Sequence, residues 1–386
     1  MTRASAFSLT LAWTIAWSAP AFCQTAGPSG IFPEPRVVAT IIDTADRRLG
    51  DGREPDDGFY AELGNMITGA GWVSAGPGYR RHVLRDRAVF DASAALSTNL
   101  YKVAQVRLEC PYHAGGRLTL GTQAMYQDLM RVDYFGAGPD SSKADRLTYR
   151  WNNTDVLGYA TWRATPWLSV EGRIGRIDRP RHSVPALPHG DAAIAADRRD
   201  HPDHPTHGGV YAASATTYWD RPAGAGRVRR YEIEAAQFVP LFTPKWILAL
   251  HAWEVFSASS TGGTLPFHLI PGIGGENTLR GYDDYRFHDN DTQSLNAESR
   301  WALLAHLDLA AFVDAGKVAP RAGDLDFRRL RTSYGAGLRV HGGSATLGRL
   351  DVGHSREGWM VFFSMSDPFS RSKPAFGRRA VVPFVP

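Results

Sequence analysis

"LDLAAFVDAG" (residues 307–316) decides how this chain folds. In an extended strand, side chains point alternately to opposite faces. Leu307, Leu309, Ala311 and Val313 then share one face, and Asp308, Ala310, Phe312 and Asp314 share the other. One face is wholly apolar while its reverse carries two carboxylates.

The same sorting recurs outward in both directions. "SYGAGLRV" sets Tyr334, Ala336, Leu338 and Val340 against Ser333, Gly335, Gly337 and Arg339. "LSVEGRIG" sets Leu168, Val170 and Ile174 against Glu171 and Arg173, and "SLNAESRWAL" sets Leu295, Ala297, Trp301 and Leu303 against Asn296, Glu298 and Arg300. In "GWMVFFSM", Trp359, Val361, Phe363 and Met365 share a face. The runs are about 9–12 residues long, the length of a tilted membrane-crossing strand. Two architectures fit such a pattern. In a soluble sandwich the apolar face points into a core; in a membrane barrel it points at lipid and the polar face lines a wet lumen. Three features favour the barrel. The strands continue with scarcely a helical interruption. Trp and Tyr gather near strand ends ("TYRW", "ATTYW", "TPW", "PKW"), as interfacial girdles do. The polar face carries several ionisable groups per strand, which a dry core would not tolerate.

The alternation predicts strands over 58–65, 68–80, 88–97, 101–111, 117–134, 147–163, 167–177 and 191–198. It continues over 208–219, 228–239, 245–257, 292–303, 305–315, 331–341, 345–354 and 358–369. The fold expected is all-β, a transmembrane antiparallel β-barrel of about sixteen strands, an even number as in bacterial single-chain barrels. "TPW", "HPDHPTHGG", "LFTPK" and "HGGS" read as periplasmic turns. "AGPDSSKADR", "RPRHSVPALPHGD", "RPAGAG", residues 258–291 and "KVAPRAGDLDFRR" read as outer loops.

The N-terminus fits this destination. "MTRASAFSLTLAWTIAWSAPAFCQ" has Arg3, an apolar run and then small residues around Pro20, the layout of a secretory signal peptide cleaved after Cys23. Phe22 argues against a lipidated Cys23. The expected divisions are a signal peptide at 1–23, a short periplasmic leader at 24–57, the barrel at 58–369 and a C-terminal tail at 370–386. After cleavage Cys110 is the remaining cysteine, so no internal disulfide stabilises an exported chain. Closing the sheet supplies another device, because it removes exposed edges. A net charge of +4 gives no reason to expect a nucleic-acid partner.

"GGENTLRGY" and the segments after it carry a family likeness. Leu279, Arg280, Gly281 and Tyr282 resemble the Val/Leu-Arg-Gly-Phe/Tyr hallmark in the sixth outer loop of the BamA/TamA outer-membrane assembly barrels, also called the bacterial surface antigen family. Five strands follow it, as in that family. Glu298 lies on the next strand, and Phe312, Asp314 and Gly316 match a Phe-x-Asp-x-Gly strand. Asp197, Arg199, Asp200, Pro205 and Gly208 resemble the family's periplasmic turn, and "YFGAGPDS" (134–141) resembles its Phe/Tyr-Gly-x-Gly loop. Phe369 resembles the aromatic that closes the last strand. The likeness covers about 58–369.

The resemblance implies a long sixth extracellular loop folded into the lumen, where Arg280 meets Asp314 and Glu298, with Phe312 beside the pair. A guanidinium suits this role because it stays charged and forks two hydrogen bonds onto a carboxylate. Gly281 is expected to serve a tight turn at the loop tip. The family's assembly members usually carry periplasmic POTRA domains, for which residues 24–57 leave no room. The implied role is outer-membrane protein assembly or translocation; the alternative is a passive pore without clients. Implied partners are outer-membrane lipids, the assembly machinery for its own insertion, and an unfolded barrel or secreted client.

Other constellations have plainer readings. His201, His204 and His207 stand three apart beside Asp200 and Asp203, but the prolines prevent a helix that would align them, so a solvated turn is expected and no metal. His354-Ser355 comes with no acid or oxyanion group, so no enzyme is expected. No cofactor motif occurs. Arg173, Arg339, Arg349, Asp351, Glu232 and Glu234 are expected to pair across the inner wall.

Overall fold

The computed structural model describes residues 30–36, 39–40, 42, 57–63, 73–179, 184–202, 204–220, 226–262, 265–342 and 346–369. The signal peptide, most of the leader and the tail from residue 370 lie outside the described residues.

Sixteen strands form one antiparallel sheet in chain order, without a crossover. The first eight are β1 (Gly58–Leu63), β2 (Ser74–Val83), β3 (Ala88–Ser97), β4 (Lys102–His113), β5 (Leu118–Tyr134), β6 (Leu147–Thr165), β7 (Leu168–Arg179) and β8 (Val184–Asp197). Then come β9 (Gly208–Asp220), β10 (Gly226–Pro240) and β11 (Trp246–Ser259). Two short strands of the long loop, β12 (Gly272–Ile273) and β13 (Phe287–His288), pair only with each other. The wall resumes with β14 (Asp291–Leu304), β15 (Leu307–Ala319), β16 (Arg331–His341), β17 (Thr346–Ser355) and β18 (Gly358–Ser364).

The sheet is inside-out relative to a soluble protein. Arg80, Arg107, Arg280, Arg286, Arg300, Arg339 and Arg349 are among the largest fully buried side chains. Val106, Val156, Ile174, Ile194, Ile233, Val313, Leu338 and Val361 lie exposed on the opposite face. This inversion suits a barrel that faces acyl chains outside and polar groups inside. Trp246 packs at a tilt against Trp301 and Phe242 at one rim, and Arg198 lies 4.3 Å over the Trp167 ring at the same rim. Among the described residues no helix is long and apolar enough to cross a membrane, which says nothing against a crossing made by strands.

The wall curls around the segment 265–290. Tyr285 packs with Tyr101, just before β4, and with Val103, Met125 and Trp151 of β4–β6. Leu265, Leu269 and Ile270 pack with Ile177, Leu187, Tyr218 and Val228 of β7–β10. Ile273, Leu279, Tyr282 and Phe287 pack with Trp253, Val255 and Val318 of β11 and β15. A single loop that touches strands from β4 to β15 occupies the interior of a barrel.

Three elements depart from the alternation. β8 begins at Val184, well before the expected 191, and takes up most of the expected outer loop. Its prolines allow this because, among the described residues, 184–188 pair with β7 alone; pairing with β9 starts at His189. On that free edge Pro185 and Pro188 interrupt no second ladder. β2 starts at Ser74 rather than 68. β18 stops at Ser364 rather than 369. There Asp367 accepts a hydrogen bond from the Phe369 backbone N–H (2.9 Å) and pairs with Arg300 (2.8 Å). The chain bends inward at Asp367-Pro368.

Phe369 therefore does not end the last strand. It is 1% exposed, stacks on His251 at 5.0 Å and packs with Phe238, Ile247 and Ala249 on the inner wall of β10 and β11. Phe369→Ala is expected to weaken docking of residues 365–369 by about 3–5 kcal/mol, the usual loss for an emptied aromatic site. Faster proteolysis after Ser364, with the barrel still folded, would register it.

Candidate functional site

The interior site is assembled from four strands and one loop tip. Glu298 of β14, Asp314 of β15, Arg339 of β16 and Asp351 of β17 all project inward by strand alternation. Thr278–Tyr282 descends onto them from the loop. The Arg280 side chain grips Asp314 side-on, Nε to Oδ2 at 3.0 Å and Nη2 to Oδ1 at 2.7 Å. Its own backbone N–H donates to the same Oδ2 at 3.0 Å. Nη1 donates to Glu298 and lies 3.8 Å from Asp351. Phe312 closes the other side, its ring centroid 3.6 Å from the guanidinium carbon, a cation–π contact.

Around this grip the charges alternate. Glu298 also accepts from Arg300 (2.8 Å) and Arg339 (2.8 Å). Asp351 pairs with Arg339 (2.6 Å) and Arg349 (3.4 Å), and Asp367 pairs with Arg300. Four guanidiniums thus meet four carboxylates, every one of these side chains at most 2% exposed. Burial works against the charge on Arg280, and Asp314 and Glu298 outweigh it, so its pKa stands above the ordinary value. Alternation matters because any unpaired charge at this depth would be costly. Asn296 Nδ2 completes the set by donating to Asp314 Oδ1 (2.9 Å) and to the Thr278 carbonyl (2.6 Å).

Leu279 is fully buried in the loop's apolar cluster, and the Tyr282 hydroxyl donates to the Thr332 carbonyl at 3.3 Å. The need for glycine at Gly281 differs from the expected tight turn. Its φ is not in the left-handed region; Gly274 (φ +130°) and Gly275 (φ +89°) make the bend. A Cβ at Gly281 would stand 2.7 Å from Ser333 Cβ and 2.8 Å from the His354 carbonyl carbon, so glycine permits close approach to the wall. The wall answers with its own glycines. A Cβ on Gly316 would meet the Gln293 carbonyl at 2.9 Å, and one on Gly335 would meet the Phe312 ring at 2.6 Å.

A second clamp had no signal in the sequence. Arg286 donates to the Ser141 carbonyl (2.8 Å) and hydroxyl (3.0 Å), pairs with Glu357 (2.9 Å) and lies 4.9 Å over Phe135. The Gly138 N–H donates to the His288 carbonyl (2.7 Å). The loop at 134–141 thus folds onto the sixth loop. Asp367 and Arg300 were also missed as network members. Arg300 falls on the polar face of its strand, the one clue available.

The turn between β8 and β9 holds itself together. Asp197 takes Arg199 in a fork (2.9 and 2.6 Å), and Asp200 accepts from the backbone N–H groups of Thr206 (3.0 Å) and His207 (3.2 Å). Pro205 is buried, and Gly208 has φ +88° where a Cβ would meet the Arg198 carbonyl at 2.1 Å. The histidines are not uniformly solvated, contrary to expectation. His201 and His207 are exposed, whereas His204 is buried at 6% exposure because the turn tucks it under the barrel mouth. His354 and Ser355 point to opposite faces. His354 packs between outward Tyr334 and Trp359, while Ser355 Oγ donates to the Gly281 carbonyl at 2.6 Å. Among the other inner charges, Glu232 accepts from the Trp253 indole (2.6 Å), Glu234 pairs with His251 (2.7 Å), and Arg173 pairs with Glu171 and Asp191.

The architecture is a sixteen-stranded sheet curled around an arginine-bearing loop bound to its inner wall. The Omp85 superfamily domain matches residues 189–354, from β8 to the end of β17. The structure of BamA from Haemophilus ducreyi lacking POTRA domains 1–3 is similar, with a TM-score of 0.61 at 14% identity, over 81% of this chain and 70% of that one. CdiB from Escherichia coli is similar with a TM-score of 0.50 at 15% identity, over 81% of this chain and 63% of that one, so this chain spans less than two thirds of its length. No curated protein matches the chain. Residues 189–354 thus match the Omp85 superfamily domain, and the chain shares the barrel fold of the BamA structure.

Proposed function

We propose that this chain works in the outer membrane of a Gram-negative bacterium, reached through a cleaved signal peptide, and that it assembles or translocates other outer-membrane proteins without catalysing a reaction. The observation that carries the reading is the sheet's seam. Among the described residues its two end strands are its shortest, six residues in β1 and seven in β18, against ten to nineteen elsewhere in the wall. Among the described residues no ladder joins them. Strand edges with unpaired backbone groups are templates for another strand, so a client hairpin can add there by β-augmentation. The lumen, filled by the sixth loop, disfavours a wide passive pore.

The outward faces of the seam carry Phe59 (87% exposed) and Trp359 (67% exposed), convenient sites for a photoreactive amino acid. Newly exported, unfolded barrel or secreted proteins are the expected crosslinked partners in cells. If both positions crosslink lipid alone while the purified chain gives a large, steady conductance in planar bilayers, the protein is a pore and the assembly role is wrong.

A further inference from the structure

The outward face of β10 ends in two arginines that the chain does not neutralise. Val228, Arg230, Ala236 and Phe238 are buried against the interior, so the odd-numbered residues of this strand face outward. The outward stretch Tyr231–Val239 has the length of a tilted membrane crossing, about 9–11 residues. Within it Tyr231 and Ile233 are exposed, and Gln237 accepts a hydrogen bond from the Tyr211 hydroxyl (2.5 Å). Arg227 and Arg229 stand just beyond this stretch. They lie at the end of the sheet that carries the sixth loop, since Val228 pairs with Ser259 at the close of β11. Trp219 of β9 is the cross-strand partner of Arg227. Gly190 of β8 gives its ring room to lie along the wall, because a Cβ there would stand 3.2 Å from Trp219 Cη2. An indole and a phenol at one height mark the boundary between hydrocarbon and headgroups.

Both arginines are exposed, and neither belongs to an ion pair among the described residues. Three other outward cations at this end have their own carboxylates: Arg150 pairs with Asp128, Arg176 with Asp178 and Lys317 with Asp326. Glu254, on the outward face of β11, sits opposite Ile233. That is about 13 Å along the strand from Arg229, too far to match it.

We propose that Arg227 and Arg229 bind the phosphate of a phosphorylated glycolipid in the outer leaflet. The proposal rests on the outer-membrane placement given above. A guanidinium forks two hydrogen bonds onto a phosphate and keeps its charge. Two residues apart on one strand face, the arginines start about 6.6 Å from each other, close enough to hold one phosphate from two sides. Their place at the head of a hydrocarbon-facing column selects a lipid over free phosphate. Acyl chains hanging from the bound headgroup run down past Tyr231 and Ile233, and Trp219 meets the sugar. Free phosphate gains none of that apolar contact.

The test uses the full chain in detergent, freed of copurified lipid, with bisphosphorylated lipid A as the probe and native mass spectrometry as the readout. Lipid A is expected to stay bound, and the same lipid without its phosphates to bind about tenfold or more weakly. Inorganic phosphate alone at equal concentration should not be retained. The double variant Arg227→Gln/Arg229→Gln should also bind lipid A about tenfold or more weakly, with folding verified by heat-dependent gel migration. Arg176→Gln should bind like the unmodified chain, because Asp178 already takes that charge. Equal binding of the dephosphorylated lipid, equal binding by the double variant, or retention of inorganic phosphate as tightly would overturn the site. Cell fractionation separates the two readings. An outer-membrane chain whose lipid binding ignores the double substitution removes this site alone, whereas a chain absent from the outer membrane removes the placement and the site with it.

Discussion

Replacement of Arg280 by alanine is expected to free the sixth loop from the wall. The change removes three side-chain bonds to Asp314 and Glu298 and the cation–π contact with Phe312, and leaves buried carboxylates short of one positive charge. Breaking one side of a buried ion pair costs about 3–5 kcal/mol. The docked fraction of the loop should fall by roughly two to four orders of magnitude relative to the undocked one. Two measurements check it. Heat-resistant folded migration on gels should weaken, and planar-bilayer conductance should rise as the lumen clears. Arg280→Lys should lie between, since lysine keeps the charge but cannot fork onto Asp314. An alanine variant with unchanged migration and conductance would show that Arg280 is incidental to loop docking.

Gly353→Ala should reproduce this phenotype with the arginine intact. A Cβ at Gly353 would stand 1.7 Å from the Arg280 carbonyl oxygen and 2.6 Å from its carbon. Both are backbone atoms, so no flexible side chain can give way. Restoring van der Waals contact requires the loop to retreat by roughly 1.5 Å or more. That takes Arg280 beyond hydrogen-bond reach of Asp314, where the bonds now measure 2.7 and 3.0 Å. Elsewhere in a strand the same substitution would be harmless or mildly stabilising, because glycine costs the most backbone entropy. Increased conductance from one methyl group on β17 would therefore identify close approach as the cause. Conductance equal to the unmodified chain would show that the loop sits farther from the wall.

Much of the wall was legible because lipid imposes so simple a rule. Each strand must show hydrocarbon to hydrocarbon, and period-two alternation gives the strand and its face together. The strands 88–97 and 331–341 were read to the residue. The rule failed where a different constraint acted. At β8 the stretch with Pro185 and Pro188 reads as an outer loop, but a strand edge with one neighbour among the described residues tolerates them. At Asp367-Pro368 the alternation broke because the chain turned inward to Arg300 and the inner wall.

The interior followed the same division. Sequence alone fixed which charges face inward, since parity along a strand is a local property, and the loop motif pointed Arg280 at Asp314 and Glu298. Which inward charges meet depends on the curl of the sheet and on the descent of the loop, and no local pattern encodes either. Arg286 reaching Ser141 and Glu357, and His204 reaching Asp308 and His341, join residues separated by dozens of positions or more. Only the folded barrel brings them within bonding distance, because only it sets strands far apart in order on facing walls.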